Sequence, residues 1–151
     1  GITATIFFSG CRFNCPGCFN KELHDFNYGK EFTEDIMDEF IKYANDNHVD
    51  GICILGGEPF QQDLDILYRF VFRLVIEVGK PIHMWSGYLF EQLLTINEAR
   101  KILINIDTLV DGQFMLCKKD LSLKYRGSSN QRVIDVQESL KNGKTIEIKC
   151  D

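Results

Sequence analysis

Long apolar runs are missing from this chain. Those present, such as Ile6-Phe7-Phe8 and Leu74-Val75-Ile76, fall far short of the roughly 20 residues a membrane span requires. No signal-peptide pattern, internal repeat, low-complexity segment or interdomain linker is visible. A basic stripe is missing too: 17 Lys and Arg stand against 22 Asp and Glu, for a net charge of -5, so nucleic acid is not an expected partner. At 151 residues, 44% of them hydrophobic, the chain holds material for one core and little for a second. Of its six cysteines, three crowd together at Cys11, Cys15 and Cys18, which favours a ligand set over the disulfides of a secreted scaffold. The expected setting is reducing and cytoplasmic, and the expected organisation is one domain over 1–151. Because Gly1 stands directly before an apolar strand, a short preceding segment is also expected.

What is present alternates. Thr3 to Ser9 is apolar and β-branched, Gly10 breaks the run, and the cysteines follow in a loop. Thr33 reads as an N-cap, and Ile36, Met37, Phe40, Ile41 and Ala44 recur at helical spacing, giving a helix that ends near Asn47. Gly51 to Leu55 is a continuous apolar run, as a parallel strand covered on both faces should be, and it ends in Gly56-Gly57-Glu58-Pro59. A helix through Leu67, Phe70, Val71 and Leu74 closes at Gly79, and Pro81 to Trp85 is a third strand. Leu89 to Ile104 reads as mostly helical and Thr108 to Asp111 as a fourth strand. After a polar loop over Lys118 to Asn130 come a short strand at Gln131 to Ile134, a helix capped by Asp135 and stopped by Gly143, and a last strand at Thr145 to Lys149. Strand–helix alternation of this kind implies parallel strands joined by right-handed crossovers, in a doubly wound sheet or a partial (β/α) barrel with outer helices. Either architecture places its site at the strands' carboxyl ends.

Cys11, Cys15 and Cys18 form Cys-x3-Cys-x2-Cys, spaced so that one loop wraps a compact metal centre. A [4Fe-4S] cube usually takes four thiolates, so three local ones leave one iron open to a ligand. Two further readings stand beside this one. A structural zinc site completed by His24 is the first, although the paired cysteines of zinc knuckles are absent. A closed electron carrier, with Cys117 or Cys150 as fourth ligand, is the second. Cys53 lies in an apolar strand and reads as core packing.

The cysteine motif followed by Phe19, and Gly56-Gly57-Glu58-Pro59 after the second strand, resemble the radical S-adenosylmethionine superfamily. Ile6 to Cys11, Cys15 to Asn20, Trp85-Ser86-Gly87-Tyr88, Leu109 to Gly112 and Arg126 to Arg132 narrow the resemblance to the activating proteins of anaerobic ribonucleoside-triphosphate reductases. It spans Gly1 to about Val136. Two departures stand out: Thr3 occupies the place of an expected Arg, and Gln113 that of a Lys found in some relatives.

The resemblance implies a set of roles. Cys11, Cys15 and Cys18 would hold three irons of a [4Fe-4S] cluster, and the fourth would chelate S-adenosylmethionine. Gly56, Gly57, Glu58 and Pro59 would meet its methionine amino group, Phe19 would border the adenine, and Ser86 and Asp111 would serve the ribose or methionine polar groups. Reductive cleavage would yield a 5'-deoxyadenosyl radical that takes a glycine Cα hydrogen from the reductase. Arg126, Ser128, Ser129 and Asn130 would contact that partner, and a one-electron reductant such as flavodoxin or ferredoxin would supply the electron. A different glycyl radical enzyme, of the pyruvate formate-lyase type, is the alternative substrate.

Overall fold

The computed structural model describes residues 1–150, so the last residue of the expected domain, Asp151, lies outside the described residues. Five strands, β1 (Ile2–Phe8), β2 (Val49–Gly56), β3 (Ile82–Ser86), β4 (Thr108–Asp111) and β5 (Arg132–Asp135), form one sheet in the order β1-β2-β3-β4-β5. The first four are parallel. A doubly wound sheet reverses direction at a switch point, and this order has no reversal. Each crossover therefore steps the same way and lays its helix on the same face. The result is a mixed α/β sheet consistent with a partial barrel, its edges β1 and β5 unpaired with each other.

Helices α1 (Glu34–Ala44), α2 (Leu64–Glu77), α3 (Phe90–Leu93), α4 (Asn97–Leu103) and α5 (Val136–Asn142) complete the chain. Thr33 caps α1, its hydroxyl oxygen accepting the Ile36 N–H at 3.3 Å, and Asp63 caps α2 by accepting from Asp65 and Ile66. The register sets Ile6, Ile54, Met84, Leu109 and Ile134 in one row across the sheet. Because side chains alternate along a strand, that row faces the helices as a unit, and α1, α2 and α4 bury it. An edge-to-face group of Phe8, Phe32, Phe40 and Phe70 packs α1 and α2 beneath the end of β1.

Four expectations change. The strand after the polar loop is antiparallel to β4: the connection holds no α-helical crossover, only a 3-10 turn at Leu116–Lys118, so the chain that leaves β4 at its carboxyl end returns at that same end. Thr145 to Lys149 forms a single bridge, Ile134 to Glu147, and no strand. There the Ser139 hydroxyl takes the Ile146 N–H at 2.8 Å, a group a longer ladder would need. Leu89 to Ile104 is two helices broken at Leu94–Ile96, where the Thr95 hydroxyl donates to the Gln92 carbonyl and competes with the helix. Finally, α1 stops at Ala44, short of Asn47, because Asp46 accepts the His48 N–H and turns the chain.

Candidate active site at the strand ends

The cysteine loop leaves β1 and is tied shut at its base. Gly10 N–H donates to the Leu23 carbonyl at 2.7 Å and Cys11 N–H to that of His24 at 3.2 Å. A second fastening joins it to the end of β2: Gly57 N–H donates to Phe8 and Glu58 N–H to Gly10, at 2.8 and 2.9 Å. This crossing demands glycine. Gly56 has φ +142°, and a Cβ there would collide with the Phe8 carbonyl, while one on Gly57 would stand 2.7 Å from the Gly10 oxygen. The Gly-Gly pair therefore lets the two strand-end loops touch.

Above this junction the three thiols are free, half-buried and on one cavity of about 230 Å³. Burial pushes the Cys11 thiol up to about 11. Burial, then the neighbouring Cys18, raises that of Cys15. Thiols whose ionisation is opposed by burial and by one another are donors that become thiolate on a cationic centre. Among the described residues no three Cys, His, Asp or Glu side chains converge on a point for one bare ion. The triad lines a space, which suits a polynuclear cluster better than zinc with His24, although His24 lines the same cavity.

Gly56, Gly57, Glu58, Ser86 and Phe19 also line the cavity. Glu58 is 1% exposed and acts as a strut between β2 and β3: Oε2 accepts from the Ser86 hydroxyl at 2.8 Å and Phe60 N–H at 3.0 Å, and Oε1 from Gly87 N–H at 2.6 Å. Burial lifts its carboxyl to about 7 against those three donors. Phe19 is 60% exposed at the cavity's border, its ring 5.4 Å from that of Phe114 and beneath the Lys119 ammonium.

The remaining expected positions lie elsewhere. Pro59 is buried at the start of a 3-10 turn, off the cavity wall. Asp111 is fully buried and faces away, paired with Arg132 at 2.6 and 3.0 Å and accepting from Phe90 N–H at 2.8 Å. A residue so engaged holds β4, β5 and α3 together, and it is not on the cavity wall. Ser128 is completely buried, its hydroxyl accepting the Met115 N–H, so it has no surface for a partner. Asn130 donates to the Gln113 carbonyl; Ser129 is exposed, and Arg126 is half-buried with its guanidinium on the Lys124 carbonyl.

No site role was expected for Phe13, Gln113, Phe114, Tyr125 or Gln131, all of which are on the cavity wall. The rule that found Gly56 to Pro59, a glycine-containing segment just past a strand, also fits Gly112-Gln113-Phe114 after β4. Of the remaining cysteines, exposed Cys117 shares a neighbouring groove of about 620 Å³ with Cys15. Cys53, expected as core packing, is instead half-buried on the open face, where it and Cys150 line a third cavity lower on the sheet.

A family model described as a 4Fe-4S single cluster domain matches residues 1–134. Curated relatives include the anaerobic ribonucleoside-triphosphate reductase-activating proteins of Salmonella typhi, 41% identical over 138 residues, and of Escherichia coli K12, 40% identical over 138; each alignment covers 88% of both chains. That of Enterobacteria phage T4 is 28% identical over 139 residues, 88% of this chain and 83% of its own. No solved structure matches. Matched over most of its length by that domain and by those relatives, the chain belongs to the family of anaerobic ribonucleoside-triphosphate reductase-activating proteins.

Proposed function

We propose that this protein is a radical S-adenosylmethionine oxidoreductase that installs a glycyl radical on an anaerobic ribonucleoside-triphosphate reductase. One observation carries the reading: Cys11, Cys15 and Cys18 share one strand-end cavity with Gly56, Gly57 and Glu58. The three thiolates would hold a [4Fe-4S] cluster. When bound, that cluster supplies the electron that splits S-adenosylmethionine into methionine and a 5'-deoxyadenosyl radical, which takes a glycine Cα hydrogen from the reductase.

The chain's own residues bind and orient. Gly56 and Gly57 bring backbone within reach of the methionine end, and Glu58 Oε1, with Gly87 N–H as its partner, keeps acceptor capacity for an ammonium. An ammonium beside Glu58 would also favour its charged form, offsetting the burial that lifts its carboxyl. Phe19 and Phe114 give the adenine a flat apolar border. Ser86 acts indirectly: its hydroxyl donates to Glu58 and accepts from Tyr88 N–H, so it orients the carboxylate. Exposed Ser129 and the half-buried Arg126 remain the partner-facing candidates of their segment. The partial barrel leaves the cavity mouth open to a protein loop, and a flavodoxin- or ferredoxin-type carrier would be the reductant.

The test uses protein purified and reconstituted without oxygen, given dithionite and S-adenosylmethionine, with 5'-deoxyadenosine quantified in the presence and absence of the reductase. The expected result is 5'-deoxyadenosine together with a glycyl radical signal on the reductase. Product without that signal would move the substrate to another glycyl radical enzyme. An intact cluster that yields no product would replace the reading with that of an electron carrier.

A further inference from the structure

The segment Ser128 to Arg132 does something its polar composition does not suggest. Its side chains meet the β4 loop in register and in reverse order: the Ser128 hydroxyl accepts from Met115 N–H at 3.1 Å, and Asn130 Nδ2 donates to the Gln113 carbonyl at 2.8 Å. Gln131 Nε2 donates to the Gly112 carbonyl at 2.9 Å, and Arg132 pairs with Asp111. Gln131 Oε1 also accepts from Gly127 N–H at 2.8 Å, so the clamp is itself braced. Residues 111–115 are held at four places, and of the two side chains they present to the cavity, Gln113 and Phe114, Gln113 reaches Cys15.

The Gln113 carboxamide stands 3.7 Å from Cys15 Sγ. Among the described residues, Cys15 is the one cysteine of the triad with a polar side chain against its sulfur. Facing a neutral thiol, Gln113 accepts through Oε1. A thiolate offers no proton and repels that oxygen, and the amide has a second end that donates. Rotation of the amide presents Nε2–H to sulfur without moving the clamped backbone. Which end faces the sulfur is thus set by the charge on Cys15.

We infer that Gln113 is a positioning residue for the cluster, donating through Nε2–H to the Cys15 thiolate and, from the 128–132 clamp, setting the cluster's reduction potential. The inference rests on the cluster reading proposed for the triad. A donor to a ligating sulfur withdraws electron density and favours the more negative, reduced state, so it makes reduction easier.

The experiment measures iron and sulfide content, the midpoint potential and the resonance Raman Fe–S(Cys) stretches of the anaerobically reconstituted full chain without S-adenosylmethionine. Gln113→Met keeps the length and drops the donor, and is expected to shift the potential to more negative values and move one Fe–S(Cys) stretch. Gln113→Lys restores an N–H donor and should return the potential toward or above that of the wild type. Asn130→Ala, which frees the Gln113 carbonyl, should shift it in the direction of Gln113→Met but by less, and it supplies the reading if Gln113→Met does not hold a cluster. Full iron and sulfide with unchanged potential and unchanged stretches in Gln113→Met overturns the inference alone. Wild-type protein that assembles no cluster overturns the cluster reading, and this inference with it.

Discussion

On the helix-covered face of the sheet Ile52, Ile54, Ile82, Met84, Leu109 and Ile134 are each at most 1% exposed, whereas on the opposite face Thr5, Cys53, His83 and Thr108 form a row that stays partly open. The strands are the same; alternation sends one set of side chains to a dry interior and the other to a concave wall with cavities on it. Near the carboxyl ends of that wall, Trp85 donates to the Tyr125 carbonyl at 2.7 Å and holds there a residue with φ +66°, a backbone conformation that costs on the order of 1 kcal/mol for a residue other than glycine. One face therefore supplies stability and the other holds the candidate chemistry. Changes on the open face should cost activity with little stability, and changes on the buried supports should do the reverse.

The largest effect expected is on activity. Cys15→Ala should reduce 5'-deoxyadenosine formation to background while the circular dichroism melting temperature of the metal-free protein stays within a few degrees of wild type. A collapse of the fold would show that the cysteine loop supports the core, against the division of labour between the two faces. Next comes Arg132→Ala, which strands the fully buried Asp111 carboxylate without its ion partner. A loss of about 3–5 kcal/mol in urea unfolding is expected, the range for breaking one half of a buried pair.

Glu58 sharpens the comparison because it belongs to both regions, a buried strut on the cavity wall. Its carboxyl sits at about 7 in the fold against an ordinary 4.5. Folding thus favours the protonated form: the contribution is fully present below about pH 4.5 and is lost as the pH rises through about 7. Stability of the metal-free protein relative to Glu58→Gln should fall between pH 5 and pH 8, by at most on the order of 3 kcal/mol. A flat difference across that window would show that the three donors to Glu58 already outweigh its burial. The smallest effect belongs to Cys53→Ser on the open face, expected within about 0.5 kcal/mol of wild type by denaturant titration and without influence on cluster content.

Much of this arrangement was legible in the residues. Hydrophobic period and glycine placement located β1 to β4, α1 and α2 within a few residues, since local propensity and burial agree there. The cysteine triad stood out because three thiols within eight residues suit a metal centre far better than core packing or paired disulfides, and the fold sets all three on one cavity. Less legible was anything that depends on what a polar side chain finds after folding. Asp111 looked like a residue for a ligand and is an ion-pair anchor; Ser128 and Asn130 looked like surface and are a clamp. Polarity states a need for partners and does not say whether water, a ligand or backbone meets it.

By itself the sequence determined the alternation of strand and helix, the position of both motifs just past strand ends, and the crowding of three thiols into one loop. These follow from short-range patterns: periodicity of burial, the turn chemistry of glycine, and ligand spacing within one loop. Only the tertiary structure decided that β5 runs antiparallel, that Glu58 accepts from Ser86, Gly87 and Phe60, and that Gln113 stands against Cys15. Most of those contacts join residues far apart in the chain, and the pairing is settled by which polar groups a particular packing leaves facing one another.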